Sequence, residues 1–320
     1  MPKYEVRPGG SVRRRGAGIV AGALALVVVA TGCSAPTSGG SAPGLPLVAT
    51  TFTVLADITR QVAGDRARVE SITRPGAEVH GYEPTSGDLR RVADADLLVD
   101  NGLGLEAWFS RFTDRSDAER VVASAGVTPI PLRGGVGSDA DSVGQPNPHA
   151  WMSPTAGATY VRNITDALVR LDPDSESHFR ARAAAYTAEL EAIGDELAAR
   201  LRDVPPASRM LVTCEGAFSY LTRDAGLDEG YLWGVNSDRQ GTPRQIAALI
   251  TTLRDREVPA VFCESTVSDT AMRQVARETD AAFAGTLYVD SLSGPDGPVP
   301  TYLDLLRHDV ETIAAGLGAR

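Results

Sequence analysis

The chain has 320 residues, of which 43% are hydrophobic and 22% charged, so it can form two domains and does not have the composition of a disordered protein. Its net charge is −10. Residues 1–32 carry five basic side chains and one acidic side chain, so the chain that follows has a net charge of −14. An acidic surface repels phosphate groups, which argues against binding nucleic acid or anionic lipid through charge. It mildly favours a cationic ligand.

Residues 1–32 predict a signal peptide. Three arginines at 13–15 precede an apolar run at 18–30, which is shorter than the roughly 20 residues of a transmembrane helix. The run ends in Thr-Gly-Cys and resembles the lipobox of bacterial lipoproteins, in which Cys33 becomes the lipidated first residue, although Ala30 stands where leucine is most usual. Cleavage without lipidation and an uncleaved anchor are the alternatives.

Residues 33–45 are small and flexible, as in a tether, and no later segment has the length and apolarity of a membrane span. We therefore expect an exported protein that is lipid-anchored on the outer face of the cytoplasmic membrane.

Short β-rich runs alternate with amphipathic segments over residues 46–153, which predicts an N-terminal α/β lobe with a parallel sheet. The predicted strands are 47–55, 68–73 and 96–102, and the predicted helices are 57–64 and 86–95.

Residues 154–203 form the most helical region of the sequence. Within it, residues 175–203 are rich in Ala, Glu, Leu and Arg, contain no proline, and have only Gly194 as a weak point. A helix of this length would span about 40 Å. We expect it to join two lobes as a rigid spine that limits their relative movement.

Residues 204–320 repeat the alternation and predict a C-terminal α/β lobe. The predicted strands are 209–215, 231–235, 259–265 and 284–290, and the predicted helices are 217–226, 242–256, 268–280 and 301–317.

Four side chains that could bind a metal follow or end predicted strands, two in each half: His80, His149, Glu215 and Asp290. Ligands of α/β sheets gather outside the carboxyl ends of strands, so the four could meet in a cleft between the lobes. Two imidazoles and two carboxylates suit a first-row divalent ion, and bidentate carboxylates would favour manganese or iron over four-coordinate zinc. Taken singly, each residue could instead be a structural hydrogen-bonding group or a helix cap.

Several further residues are candidates for supporting roles. Glu264, Glu83 and Asp238 are acidic and near the same strand ends, so they could hydrogen-bond to the histidines, although a solvated loop position suits Asp238 better. The other two histidines, His178 and His308, are expected to be surface or packing residues. Cys214 and Cys263 end two apolar runs and could form a disulfide in an exported protein or serve as small hydrophobes.

Several segments together resemble the metal-binding solute-binding proteins of bacterial ABC importers for manganese, zinc and iron. They are HGYEPTSGDLRRVADADLLVDNGLGLEAW at 80–108, NPHAWMSP at 147–154, TCEGAFSYL at 213–221, GTPRQI at 241–246, CES at 263–265 and YVDSLS at 288–293. The resemblance extends over about residues 47–317, and the combination of these motifs is specific to that family.

This resemblance implies that His80, His149, Glu215 and Asp290 are the four ligands of one transported metal ion. It also implies a monomeric receptor, without enzymatic activity, that delivers the ion to an ABC permease and its ATPase after a small closure of the lobes. Zinc-associated members often have histidine as the third ligand and a histidine-rich loop before the second. Here the third ligand is Glu215, and residues 132–147 contain no histidine, which favours manganese or iron, with a zinc receptor as the alternative.

Two other functions, a metal-dependent hydrolase and an adhesin, are less well supported by the sequence. A metal-dependent hydrolase keeps an open coordination position and usually has three protein ligands, and the sequence has neither HExxH nor GxSxG. An adhesin is not supported by any repeat. The resemblance places Cys214 where a small polar residue is usual, and a thiolate ligand there would shift selectivity toward zinc. Because protons compete with the metal for imidazole, we expect binding to weaken as the pH falls through about 6.5.

Overall fold

The computed structural model describes residues 44–109, 117–133, 143–235 and 241–318. The predicted signal peptide, Cys33, most of the tether and Asp238 lie outside these residues.

The N-terminal lobe is built on a parallel four-stranded sheet in the order β2-β1-β3-β4. Its strands are β1 Leu47–Thr50, β2 Arg68–Ser71, β3 Leu97–Asp100 and β4 Glu119–Val122, and its helices are α1 Thr53–Ala63 and α2 Ser86–Val92. Strand β4 was not predicted, because it is a short edge strand whose first two side chains are exposed and which therefore carries little apolar pattern.

The prediction of a strand over 47–55 was wrong in its second half, and so was the start of the following helix. β1 ends at Thr50, and α1 begins at Thr53 rather than at Asp57. The β-branched residues here favour a strand by propensity. Every residue from 53 to 59 is nevertheless buried, because α1 packs against the sheet on one side and the central helices on the other. Tertiary packing therefore overrides local propensity.

Two helices form the centre of the protein, α3 Pro154–Leu171 and α4 Glu176–Arg200. They pack against each other as a helical hairpin. The 25-residue α4 confirms the prediction of a long helix, and it buries a stripe with alternating spacings of three and four residues: Phe179, Ala183, Tyr186, Leu190, Ile193 and Leu197. It contacts α1 and also the C-terminal helix, so it bridges both lobes.

The C-terminal lobe has strands β5 Met210–Glu215, β6 Asp228–Trp233, β7 Ala260–Glu264 and β8 Ala282–Leu287. Its helices are α5 Ser219–Ala225, α6 Pro243–Arg256, α7 Thr270–Arg277 and α8 Tyr302–Gly316. Parallel ladders join β5 to β6 and β7 to β8, and β5 lies beside β7. The strand order β6-β5-β7-β8 therefore corresponds to the order β2-β1-β3-β4 of the first lobe. The predicted α/β fold with two parallel-sheet lobes and a long connecting helix is confirmed.

One apolar core runs from the N-terminal sheet through α3 and α4 to α8, and a second fills the C-terminal lobe around Cys214 and Cys263. Among the described residues, no helix combines the length and apolarity needed to cross a membrane. The lobe boundaries at residues 153 and 203 stay predictions.

Candidate metal centre

The four candidate ligands converge in one buried cluster between the lobes. The Nε2 atoms of His80 and His149 are 3.0 Å apart. His80 Nε2 lies 3.5 Å from Glu215 Oε1, and His149 Nε2 lies 3.5 Å from Asp290 Oδ1. All the ligand atoms are within 4.8 Å of one another. Ligands bonded at about 2.0–2.2 Å to a tetrahedral ion lie roughly 3.3–3.6 Å apart, so the cluster has the size of a first coordination shell.

His80 lies in the loop between β2 and α2, and its motif explains its position. Thr85 is the N-cap of α2 and forms a capping box with Asp88, whose carboxylate also accepts a hydrogen bond from the Tyr82 hydroxyl. The indole of Trp108 donates to the carbonyl of Val79 at 2.9 Å. The residues of the HGYEPTSGD and NGLGLEAW motifs therefore fix the backbone on both sides of His80.

His149 is oriented by Asn147, which was not among the residues predicted from the sequence to support the site. Asn147 Oδ1 is 2.9 Å from His149 Nδ1, which places the proton on Nδ1 and leaves Nε2 available to a metal. The Asn147 amide also donates across the cleft to the Gly216 carbonyl at 2.6 Å and to Ser219 Oγ at 2.9 Å. The signal in the sequence that could have identified Asn147 is its position two residues before the candidate ligand His149.

Glu215 ends β5, and its backbone N–H donates to Glu264 Oε2 at 3.1 Å. Glu264 is buried at the end of β7, and it accepts a hydrogen bond from the backbone of a candidate ligand rather than from a histidine, as the sequence had suggested. Glu83 is exposed, and within the described residues no hydrogen bond joins it to His80 or His149. The buried Nδ1 of His80 has no hydrogen-bond partner among those residues, so the predicted contact from Glu83 is absent.

Asp290 lies beyond the end of β8, and the N-terminal lobe holds the segment around it. The hydrogen bonds are from Trp151 Nε1 to Val289 O at 3.1 Å, from Gly76 N to Ser291 Oγ at 2.7 Å, and from Leu292 N to Thr53 Oγ1 at 2.9 Å. Asp290 is 1% exposed, and its Oδ1 has no hydrogen-bond partner among the described residues. A buried carboxylate oxygen without a donor is suited to a cation.

Residues 48–316 match the family model described as zinc-uptake complex component A, periplasmic. The chain belongs to the zinc-uptake component A family. It is 47% identical over 272 residues to the iron-binding protein YfeA of Yersinia pestis, covering 85% of this chain and 86% of that protein. It is 33% identical over 296 residues to the manganese-binding lipoprotein MntA of Halalkalibacterium halodurans, covering 92% of this chain and 96% of that protein.

Among solved structures, the Mn-bound periplasmic metal binding protein from Candidatus Liberibacter asiaticus superposes with a TM-score of 0.77 at 37% identity. The match covers 85% of this chain and 99% of that one. The component A fold and its family membership therefore agree with the resemblance in the sequence motifs.

Burial sets the protonation of the candidate ligands in this component A protein. Desolvation lowers the pKa of His80 to about 4, with the Asp290 charge acting in the opposite direction, and lowers the pKa of His149 to about 3. Both imidazoles are thus neutral at neutral pH, as metal ligation requires. Burial raises the pKa of Asp290, since ionising it costs free energy unless a positive charge is near. A divalent cation supplies that charge.

The remaining predicted residues are also located. Cys214 and Cys263 form a disulfide between β5 and β7, so neither sulfur is a thiolate ligand. His178 Nε2 is 3.3 Å from the Ala63 carbonyl, and His308 Nε2 is 3.0 Å from the Thr286 carbonyl. Both histidines are partly exposed and away from the cluster, as expected for packing residues.

Proposed function

We propose that the protein is an extracytoplasmic receptor that binds one divalent transition metal ion and delivers it to an ABC permease. The observation that carries the proposal is the convergence of two imidazoles and two carboxylates in one buried cluster. The ligands are His80, His149, Glu215 and Asp290.

The proposed ligands come from both lobes, which suggests how the receptor would capture the metal ion. His80 and His149 belong to the N-terminal lobe, whereas Glu215 ends a strand of the C-terminal lobe. A complete shell therefore exists only when the lobes are close together, so that metal binding stabilises the closed arrangement. Four protein ligands leave no obvious position for a reactive water, which suits a receptor better than a hydrolase.

Manganese or iron is the favoured ion. Carboxylate oxygens shift preference toward harder ions, and both carboxylates can use two oxygens, which raises the coordination number above the usual four of zinc. YfeA is named as iron-binding and MntA as manganese-binding. The family is named for zinc uptake, and zinc binds tightly to most sites with imidazole ligands, so a zinc receptor is the alternative.

The proposed cellular location and partners are inferred from the N-terminal sequence and from the names of the relatives. MntA is named a lipoprotein, and Cys33 follows a lipobox-like run, so we propose a lipid anchor on the outer face of the cytoplasmic membrane. The partners would be the permease and its ATPase, and the receptor would act as a monomer.

Metal stoichiometry tests the proposal. Protein purified from its native cells should carry close to one manganese or iron ion per chain by elemental analysis, and native mass spectrometry should show the same ratio. His80→Ala should lose the ion, whereas His308→Ala, which alters a partly exposed histidine on α8, should retain it. Uptake of the same metal should fall in a strain that lacks the gene. Protein that binds no divalent ion would overturn the proposal.

A further inference from the structure

Residues 101–106, with the sequence NGLGLE, follow β3 directly and have an unusual backbone; we call them the NGLGLE loop. Three consecutive residues have positive φ angles: Gly102 at 80°, Leu103 at 54° and Gly104 at 82°. Glycine tolerates this region of backbone space, whereas the Cβ of leucine is crowded there. A strained residue persists only where its surroundings enforce the conformation, and such residues cluster at functional sites.

A buried carboxylate holds the NGLGLE loop in this shape. Glu106 is 7% exposed, and its Oε1 accepts hydrogen bonds from Thr51 Oγ1 at 2.6 Å and from the Asn101 N–H at 2.7 Å. The last residue of the loop is thereby bonded to the first, and both are tied to the residue that follows β1. The space around the loop is also limited, because a Cβ on Gly102 would lie only 2.4 Å from Val122 Cγ1.

The NGLGLE loop presents the Asn101 side chain to the peptide that leads into His149. Asn101 is fully buried, its Nδ2 donates to the Pro148 carbonyl at 3.0 Å, and its Oδ1 accepts from the Tyr160 hydroxyl at 2.6 Å. The N–H of the same peptide, which belongs to His149, donates to Asn147 Oδ1 at 3.0 Å. Both polar atoms of this peptide are therefore bound by asparagine side chains from two separate parts of the chain.

We propose that the NGLGLE loop positions His149 for metal binding, and that the Asn101 amide fixes the peptide that carries this imidazole. The proposal rests on the proposed function of His149 as a ligand. Asn101 and Glu106 are not among the four candidate ligands, so their role is to position and not to coordinate. The role also accounts for the strained backbone, because a relaxed loop would withdraw Asn101 from the Pro148 carbonyl.

Loss of the Asn101 amide would free the carbonyl side of the peptide. The Pro148 carbonyl also accepts from the Ala150 N–H at 2.9 Å, but that bond lies within the same turn and does not anchor the turn to the lobe. Asn147 would still hold the other side of the peptide, so His149 would stay in the cluster with more freedom to move. Metal–ligand distances tolerate changes of only about 0.2 Å, so this freedom weakens metal binding.

Two glycine substitutions in the loop form a matched pair. Gly102→Ala and Gly104→Ala place alanine at φ angles of 80° and 82°, so both variants carry similar backbone strain. The Cβ at position 102 would meet Val122, whereas the Cβ at position 104 has nothing within 4 Å among the described residues. Gly102→Ala must therefore displace the loop. We expect it to bind Mn²⁺ about tenfold more weakly than the parent protein, and Gly104→Ala to bind within about threefold.

Asn101→Ala tests the amide itself, and it should also bind Mn²⁺ about tenfold more weakly. The full chain is used, affinity is measured by competition with a fluorescent chelator, and urea unfolding of the metal-free protein measures stability. Nitrogen NMR of the four histidine rings adds a readout of position. The His149 ring signals should change in Asn101→Ala and Gly102→Ala but not in Gly104→Ala, and the His308 signals should stay unchanged in all three variants.

A loop that only stabilises the fold would give a different pattern. If Asn101→Ala and Gly102→Ala lower the urea midpoint but bind Mn²⁺ within about threefold of Gly104→Ala, the positioning role is overturned. If Asn101→Ala does not fold, the two glycine variants decide by the same criterion. Failure of the parent protein to bind Mn²⁺, Fe²⁺ or Zn²⁺ would instead contradict the proposed function itself.

Discussion

The indole nitrogen of Trp151 donates a hydrogen bond to the carbonyl of Val289 at 3.1 Å, and this bond joins the two lobes beside the metal centre. Trp151 follows His149 by two residues, and Val289 directly precedes Asp290. Trp108 makes the equivalent bond to Val79, the residue before His80, within one lobe. In both cases a tryptophan fixes the peptide that leads into a candidate ligand.

Replacing Trp151 by phenylalanine should therefore affect both stability and binding. The Val289 carbonyl loses its donor in a buried position, which should lower the free energy of unfolding of the metal-free protein by about 1–3 kcal/mol. The Asp290 segment is loosened as well, so Mn²⁺ affinity should fall severalfold. Urea unfolding and chelator competition measure the two effects. Trp108→Phe, at a partly exposed position, should cost less stability because water can replace the donor. An unchanged affinity in Trp151→Phe would limit this bond to a structural role.

Asn147→Ala tests the support of His149. The substitution removes the acceptor for the His149 Nδ1 proton and also the amide bonds to Gly216 and Ser219 across the cleft. Loss of such partners typically costs about 10–100-fold in metal affinity, and we expect a loss of that size. Glu83→Ala is the matched control, since this carboxylate is exposed and, among the described residues, no hydrogen bond or ion pair joins it to either histidine. Equal affinities for the two variants would show that Asn147 does not orient the imidazole.

The convergence of the four candidate ligands was easier to predict from the sequence than the residues that support them. The two carboxylates end or follow β-rich runs, and the two histidines lie in short motifs that could be read directly, so their convergence follows from the topology of α/β sheets. The partners of Trp151 and Asn147 are far away along the chain, and no local pattern reveals them. The pairing of Cys214 with Cys263 could not be decided from the sequence for the same reason, because it requires β5 to lie beside β7. The predicted start of α1 at Asp57 was wrong because the helix begins at Thr53, where tertiary packing rather than local β propensity determines the backbone conformation.

Asp290→Asn separates binding from folding. The buried Asp290 Oδ1 has no hydrogen-bond partner among the described residues, and burial raises the pKa of this carboxyl. An uncharged amide of the same shape should therefore raise the free energy of unfolding of the metal-free protein by about 1 kcal/mol. It should also abolish stoichiometric Mn²⁺ binding. Urea unfolding in the presence of a chelator and native mass spectrometry check the two results. A destabilised variant would mean that Asp290 is satisfied in the metal-free protein.

The pH dependence of binding should differ from that of exposed imidazoles. Burial lowers the pKa of His80 to about 4 and of His149 to about 3, so neither takes up a proton as the pH falls through 6.5. We therefore expect Mn²⁺ affinity to change by less than about threefold between pH 7.5 and about 6, and to fall steeply below about pH 5. The same pKa shifts affect the stability of the metal-free protein. In its unfolded state the two histidines take up protons below about pH 6.5, whereas in its folded state they do not. The free energy of unfolding should therefore decrease as the pH falls toward 4. Chelator competition and urea unfolding across this range measure both effects. A half-loss of affinity near pH 6.5 would show that the imidazoles titrate as solvated groups before the metal binds.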